Sequence, residues 1–242
     1  MARDAPEVFA SARCDRAHQG KLRVVDWPLL DVLPADQRRR LLSRARRRRF
    51  KRNEVVFHEG DPGDSLHLID KGHVAVKRST PLGDVVTLLV LGPGDVFGEL
   101  AVVAPGPRNA TVIALDPVET LALHGDVFDD MRQMHPAIDR VLLHALVGEV
   151  RRLSAMLVEA LYVPADKRIY LRLTELASIF RAADQDGPVV IPLTQEELAQ
   201  LAGTTRPTAN RVLRSAEEAG AVRVGRGRIE VVDVAVLALR GH

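Results

Sequence analysis

The spacing of apolar residues changes near Phe128, and this change limits the possible folds more than any other feature of the sequence. Before it, short apolar runs alternate with Gly, Pro and Asp at intervals of about ten residues. These runs are Val55–Phe57, Leu66–Ile69, His73–Lys77, Val85–Val90, Thr111–Leu115 and Val118–Leu123. Short strands at this spacing are typical of antiparallel barrels, sandwiches and rolls. The first half of the chain is therefore predicted to be an all-β domain.

After Phe128 the apolar residues recur every three or four positions, which is the period of an α-helix. The recurring positions are Leu143, Leu146, Val150, Leu153, Leu157 and Ala160, and charged residues flank them. Such a heptad seam predicts a long helix that either packs on its own domain or forms a coiled coil between two subunits. Pro164 ends this helix because proline cannot continue it.

The length of 242 residues is enough for two domains. We expect a flexible N-terminal extension over residues 1–26, a β domain over 27–133, a long helix over 134–162 and a second, mainly helical domain over 163–242. The predicted fold class is therefore α+β.

The composition excludes several kinds of protein. The net charge is only +2, from 34 basic and 32 acidic residues, which excludes binding to polyanions through bulk charge. Cys14 is the single cysteine of the chain, so neither an internal disulfide nor a cysteine-ligated zinc or iron–sulfur site can form within one subunit. The sequence begins without a signal-peptide pattern, and its apolar runs are shorter than the ~18 residues of a membrane span. We expect a cytoplasmic protein without a membrane anchor or a metal site.

Basic residues are concentrated between Arg38 and Arg52. Such a run can form a surface that binds polyanions, but the solvated face of a surface helix is the more common explanation. Leu41, Leu42 and Ala45 have the spacing of a buried opposite face. We therefore expect a surface helix here.

A segment in the second domain carries the signals of two short helices joined by a tight turn. Thr194–Glu197 has the spacing of a capping box, in which the first and last side chains bond each other's backbone N–H groups. Gly203 is the predicted left-handed residue that ends the first helix. Thr205 is the predicted cap of the second helix, where Pro207 is tolerated in the first turn. Together these signals predict a helix-turn-helix.

The residues of this segment suit DNA. Arginine pairs bidentately with guanine and asparagine with adenine, so the candidates for base readout are Arg206, Asn210 and Arg211. Residues 220–231 have the pattern of a β-hairpin with a basic tip, which is a wing that lies on the DNA backbone. The candidates for phosphate contacts are Thr194, Gln195, Thr205, Thr208, Arg226 and Arg228.

From about Val55 to Val231 these motifs resemble the CRP/FNR family of bacterial transcription regulators. The helix-turn-helix is similar to that of the family in length, order and wing. Residues 94–100 and 107–110 resemble the phosphate-binding cassette of its cyclic-nucleotide-binding roll. The resemblance implies an N-terminal antiparallel β-roll of the jelly-roll type, a long dimerisation helix and a C-terminal winged helix-turn-helix.

The resemblance also implies partners and an effector. It implies a homodimer that binds a pseudo-palindromic operator in double-stranded DNA, with half-sites about one DNA turn apart, and that contacts RNA polymerase. In the cassette the matching residues are Gly98, Glu99, Leu100, Arg108 and Asn109. Arg108 would neutralise a phosphate and Glu99 would accept a hydrogen bond from a ribose hydroxyl. Cyclic AMP or another small molecule would act there as an effector rather than as a cofactor.

The sequence departs from the family pattern at three places. Asn109 stands where nucleotide-binding members usually have Ser, Thr or Ala. An ungapped alignment places Arg151 and Arg152 where members that bind cyclic AMP have a pair that contacts adenine, so the roll is either an effector site or a scaffold. Pro207 replaces a glutamate that often reads cytosine, which predicts a weaker or altered preference at that base pair.

Two other classes of function are less consistent with these motifs. An enzyme is not expected, because the roll, the long helix and the winged helix leave no residues for a catalytic domain. A module that regulates a protein partner or an enzyme without binding DNA is the alternative to a transcription regulator. Haem binding is not favoured, since His58, His67 and His73 have the spacing of surface or packing residues in strands and turns.

Overall fold

The computed structural model describes residues 25, 27–182 and 187–241. The predicted N-terminal extension, with Cys14, lies outside these residues except for Val25. No helix in the described part of the chain is long and apolar enough to cross a membrane.

The N-terminal half forms a roll of two antiparallel sheets. Its strands are β1 (Arg46–Phe50), β2 (Val55–Phe57), β3 (Ser65–Lys71), β4 (Val74–Ser79), β5 (Val85–Leu91), β6 (Val96–Phe97), β7 (Thr111–Ala114) and β8 (Val118–His124). One sheet has the strand order β1-β8-β3-β6 and the other the order β2-β7-β4-β5. The six apolar runs named from the sequence coincide with β2, β3, β4, β5, β7 and β8, which confirms the antiparallel β-roll.

In the described part of the N-terminal half, four helices accompany the roll: α1 (Ala35–Arg44), α2 (Leu100–Val103), α3 (Gly125–Met134) and α4 (Ala137–Tyr162). Inside the roll, the core consists of Ile69, Val74, Phe97, Val112, Ala114 and Val118. A second cluster around Trp27, Leu30 and Phe128 packs α1, α3 and the start of α4 against the first sheet. Each fully buried large side chain of this kind contributes about 1.5–3 kcal/mol.

The long helix α4 has 26 residues, but only its beginning is buried, at Ile138 and Leu142. Its heptad seam faces solvent in the single chain, with Val150 64% and Leu153 51% exposed. The seam therefore does not pack on its own domain, which was one of the two possibilities left by the sequence.

The C-terminal half is a winged helix-turn-helix. Its elements are α5 (Ala165–Phe180), β9 (Val189–Ile191), α6 (Gln195–Leu201), α7 (Arg206–Glu218), β10 (Val222–Gly225), β11 (Arg228–Val231) and α8 (Val234–Gly241). The strands form one sheet in the order β10-β11-β9. Leu173, Leu198 and Leu213 are buried where α5, α6 and α7 meet. The order of elements confirms the predicted fold class.

The basic run was predicted to be the face of one surface helix, which is correct for Arg38 to Arg44 on α1, where Leu41 is buried, and wrong for the residues that follow. The helix α1 ends at Arg44, and Arg46 to Arg49 form the edge strand β1. Strand β1 pairs with β8. Glu119 on β8 forms ion pairs with Arg47 and Arg49 on β1. The pairing partner lies about 70 residues away in the sequence, so local periodicity could not indicate it.

The roll and the winged helix are in direct contact. Lys77 on β4 forms an ion pair of 2.8 Å with Glu197 on α6. Thr87 on β5 donates to Gln200 of the same helix at 3.1 Å, and the His73 ring packs on Phe180. Burial disfavours ionisation of Glu197, but the hydrogen bonds from Lys77 and Thr194 outweigh it and lower its pKa. These contacts therefore attach α6 to the roll.

His67 is a buried titratable group inside the roll. Its ring stacks on Phe97 with ring centroids 5.0 Å apart, and Nδ1 lies 3.1 Å from Thr120 Oγ1. Burial, and then the charges of Arg108 and Arg48, lower the pKa of His67 to about 4. The neutral ring is therefore the form that the fold favours.

We expect His67 to make the fold acid-sensitive. In the unfolded chain the ring gains its proton near pH 6.5, whereas in the fold it does so near pH 4. The contribution of the neutral His67 ring to the free energy of unfolding is thus fully present above pH 6.5. It falls by about 3 kcal/mol as the pH drops to 4. Urea unfolding between pH 4 and 7 measures this. His67→Phe keeps the stacking and His67→Gln keeps a hydrogen-bonding group, and the pH dependence should be flatter in both. A slope equal to wild type in both variants would assign the acid sensitivity to other groups.

Candidate nucleic-acid interface and effector site

The N-terminus of α6 is closed by the predicted capping box. Thr194 Oγ1 accepts from the Glu197 N–H at 3.2 Å, and the Thr194 N–H donates to Glu197 Oε2 at 2.9 Å. After this helix, Gly203 has a φ of +58°, the left-handed conformation expected of the turn. Both features were predicted from the sequence and are confirmed. They fix the angle at which the next helix leaves α6.

The start of α7 differs from the prediction in one respect. Thr205 lies at the N-cap position but makes no side-chain hydrogen bond to the helix backbone. Its hydroxyl instead lies 3.1 Å from the hydroxyl of Thr208. The predicted N-cap position of Thr205 is therefore confirmed, but its side chain makes no capping hydrogen bond. One of the two hydroxyls donates to the other instead.

The helix α7 presents one apolar and one polar face. Ala209, Val212, Leu213 and Ala216 are buried against the domain. The opposite face is open to solvent and carries Arg206, Pro207, Asn210, Arg211, Arg214, Ser215 and Glu218. The three candidates for base readout, Arg206, Asn210 and Arg211, thus lie on one surface. Arg214 shares it and was missed in the sequence, although its spacing of three residues from Arg211 indicates the same face.

Two side chains of this face are held from other helices. Asn210 Nδ2 donates to Gln195 Oε1 at 2.8 Å, which links α7 to the first turn of α6. Arg211 Nη2 donates to Asp166 Oδ1 of α5 at 2.6 Å. Asn210 and Gln195, which were assigned separately to base and phosphate, therefore form one polar unit.

The wing is the hairpin of β10 and β11. Arg226 and Arg228 are exposed at its turn, where Gly227 has a φ of +66°. Arg52 of the roll donates to the carbonyl oxygens of Gly227 and Pro192 at 3.2 and 3.3 Å. Through Arg52, the wing turn is thus linked to the segment that precedes α6.

The cassette in the roll is built around Arg108. This side chain is only 4% exposed, and its guanidinium lies 4.2 Å above the Phe57 ring. Nη1 donates to the Gly98 carbonyl at 3.0 Å and Nη2 to Ser65 Oγ at 3.2 Å. Among the described residues, nothing accepts a hydrogen bond from its buried Nε. A buried cation with an unused donor fits an anionic ligand such as a cyclic phosphate diester.

Gly98 allows the backbone to approach Arg108 closely. Its φ is +80°, and a Cβ atom added there would lie 2.7 Å from Arg108 Nη1. Next to it, burial raises the pKa of Glu99, and the negative charge of Glu149 on α4 adds to the effect. Leu100 begins the short helix α2 and is partly exposed, and Asn109 is exposed. Gly98 accepts a hydrogen bond from the buried Arg108 guanidinium, Glu99 interacts with its charge, and Leu100 and Asn109 are their neighbours in the chain.

The long helix contributes an ion pair near this cassette. Arg152 donates from Nε and Nη2 to the two carboxylate oxygens of Glu149 at 2.8 and 2.6 Å. Arg151 is exposed. The guanidinium of Arg152 is therefore bound to Glu149, and it does not reproduce a hydroxyl that contacts adenine.

The structure also shows the environments of the three histidines that were considered for haem binding. His67 is buried, His73 is held by Asp116 at 2.7 Å, and His58 is exposed. Over residues 25, 27–182 and 187–241, no group of three or more side chains is arranged to hold a metal ion.

Comparisons with known proteins identify both halves of the chain. A family model described as a cyclic nucleotide-binding domain matches residues 47–135, and one described as a Crp-like helix-turn-helix domain matches residues 152–240. The CRP-like cAMP-activated global transcriptional regulator of Mycobacterium tuberculosis is 34% identical over 196 residues, covering 80% of this chain and 87% of that protein.

Two proteins of Thermus thermophilus are also similar. Its cyclic AMP receptor protein is 32% identical over 210 residues, covering 87% of this chain and 94% of that protein. The crystal structure of its catabolite activator protein has a TM-score of 0.51 and 30% identity, covering 88% of this chain and 98% of that one. These relatives are named as transcription regulators or receptors rather than as enzymes. With a cyclic-nucleotide-binding roll and a Crp-like helix-turn-helix in one chain, the protein belongs to the CRP/FNR family of transcription regulators.

Proposed function

We propose that the protein binds a pseudo-palindromic operator in double-stranded DNA as a homodimer and acts there in the cytoplasm together with RNA polymerase. The observation that carries the proposal is the open face of α7, which has Arg206, Asn210, Arg211 and Arg214 on one surface. An arginine helix of this kind fits the major groove, where guanine offers paired acceptors. The base-readout residues in this proposal are Arg206, Asn210 and Arg211.

The surrounding residues support the same interface. We assign Thr194, Gln195, Thr205, Thr208, Arg226 and Arg228 to the DNA phosphates, because the threonines and Gln195 flank the starts of α6 and α7 and the arginines lie on the wing turn. The proposed functional division is a roll at 27–133, a dimerisation helix at 134–162 and a DNA-binding domain at 163–242. Dimerisation through α4 is supported by its exposed heptad seam.

For the roll we propose a cyclic nucleotide, with cyclic AMP as the first candidate, as an effector rather than a cofactor. The names of the relatives from M. tuberculosis and T. thermophilus support cyclic AMP. Arg108 would bind the phosphate, Glu99 the ribose, and Gly98, Leu100 and Asn109 would line the site. The Glu149–Arg152 pair would meet the base in place of hydroxyl groups. An effector changes DNA affinity only if it binds the two conformations of the dimer unequally.

The test of the DNA proposal begins with selection of duplexes by the wild-type protein from a randomised pool. The selected sequences should be dyad-symmetric. Arg211→Ala should weaken binding to the selected duplex by about 1–3 kcal/mol per half-site and relax the preference at one base pair. Fluorescence anisotropy with singly substituted duplexes measures both effects.

Arg140→Ala is the matched control, because it removes an exposed arginine from the start of α4. This variant should bind the selected duplex as wild type does. If Arg211→Ala weakens binding uniformly across all duplexes, Arg211 contacts a phosphate and not a base.

A further inference from the structure

The base-readout arginine Arg211 is held by a carboxylate from another helix. Arg211 Nη2 lies 2.6 Å from Asp166 Oδ1, and the Arg211 and Asp166 side chains are 65% and 42% exposed. Asp166 lies in the first turn of α5, two residues after Pro164, whereas Arg211 lies on the open face of α7. No ion pair to Arg206 or Arg214 is found among the described residues, so Arg211 differs from the other two arginines on the open face of α7.

Stability alone does not account for this contact. Exposed ion pairs contribute little to folding, because water screens them and two long side chains lose freedom. A carboxylate in the first turn of a helix interacts favourably with the helix dipole, but this requires no arginine partner. The negative charge also weakens DNA binding, since a carboxylate beside the open face of α7 repels the phosphates of every duplex, whatever its sequence.

The geometry suits orientation of the guanidinium. Arg211 uses Nη2 on Asp166, and a guanidinium has five N–H donors, so donors remain for the two acceptors of guanine. A side chain that is already held in one rotamer loses less entropy when it binds a base. By orienting Arg211, Asp166 thus strengthens binding to a duplex that has guanine at the contacted position. Its negative charge weakens binding to every duplex.

We propose that Asp166 is a positioning residue that holds Arg211 for one guanine and raises the discrimination between the operator and other DNA. This inference rests on the proposed function of α7 in base readout. It concerns specificity: Asp166 itself contacts no base.

The test uses the full-length chain, the duplex selected by the wild-type protein, the same duplex substituted at each base pair, and a shuffled duplex. In Asp166→Ala, discrimination at the base pair read by Arg211 should fall about fivefold or more per half-site. Affinity for the shuffled duplex should rise about twofold or more, because a negative charge is lost. Asp166→Asn keeps an acceptor for Arg211 and should retain part of the discrimination.

A double-mutant cycle separates positioning from a structural role. In an Arg211→Ala background, Asp166→Ala should leave discrimination unchanged, whereas a structural role would lower it in both backgrounds. Glu196→Gln is the charge control, since Glu196 is an exposed carboxylate in the first turn of α6. It should raise affinity for all duplexes alike without changing discrimination.

Unchanged discrimination in Asp166→Ala would overturn the inference, and so would an equal gain in affinity for selected and shuffled duplexes. Both results leave the DNA proposal intact, provided that the wild-type protein discriminates between the duplexes. If the wild-type protein does not discriminate, the proposed function fails and the role of Asp166 fails with it.

Discussion

Replacing both Val150 and Leu153 on α4 with glutamate should convert the protein to a monomer and reduce its operator affinity by a factor on the order of 10²–10⁴. These side chains are 64% and 51% exposed in the single chain and belong to the heptad seam. In a coiled coil they would be buried against the same residues of the second subunit. Four carboxylates would then meet in an apolar interface, where burial of an unpaired charge is costly.

The loss of affinity follows from the loss of one recognition helix per complex. In a dimer the second half-site is bound at a high effective concentration, whereas a monomer gains only the contacts of one half-site. Sedimentation velocity gives the oligomeric state and fluorescence anisotropy gives the affinity. Ala155→Glu adds one negative charge per subunit at an exposed position outside the seam and should remain dimeric. A Val150→Glu, Leu153→Glu variant that still sediments as a dimer would show that another surface joins the subunits.

Replacing Arg108 with glutamine should reduce the affinity for cyclic AMP on the order of a hundredfold or more. Arg108 is the buried guanidinium of the cassette, and its Nε has no acceptor among the described residues. Removing one partner of a buried, hydrogen-bonded charge pair costs about 2–5 kcal/mol. The variant also removes the cation that offsets the phosphate charge beside Glu99.

Isothermal titration calorimetry of full-length wild type and Arg108→Gln with cyclic AMP measures this effect. Arg78→Gln is the matched control, because Arg78 is a half-exposed arginine of the same roll that pairs with Glu59. It should bind the nucleotide as wild type does. Equal affinity for cyclic AMP in wild type and Arg108→Gln would show that Arg108 does not bind the phosphate of the nucleotide. If wild type binds neither cyclic AMP nor cyclic GMP, the roll has the role of a scaffold.

Sequence signals that lie within a few residues of each other were sufficient to predict much of this structure. The capping box at Thr194, the left-handed Gly203 and the heptad seam of α4 depend on local geometry, and each was predicted. The same applies to the six strands marked by apolar runs between turns. For such elements the chain neighbours determine the conformation.

Features that depend on distant partners could not be predicted. Strand β1 consists of four arginines and a phenylalanine, which is no strand pattern, and it forms because β8 offers its edge and Glu119. Likewise, no local signal indicates that Asp166 holds Arg211 or that Lys77 reaches Glu197, 120 residues away. Candidate residues of the DNA interface were thus predictable by type and spacing, but the contacts that orient them were not.

The most direct test of the central claim is the affinity of the wild-type dimer for its selected duplex and for a shuffled duplex across a range of KCl concentrations, with and without cyclic AMP. We predict that the selected duplex binds at least about 10³-fold more tightly, that both affinities fall linearly with the logarithm of salt concentration, and that cyclic AMP changes the affinity for the selected duplex. Equal affinity for the two duplexes, or no binding to either while the roll binds cyclic AMP, would contradict the claim and favour a module that regulates a protein partner.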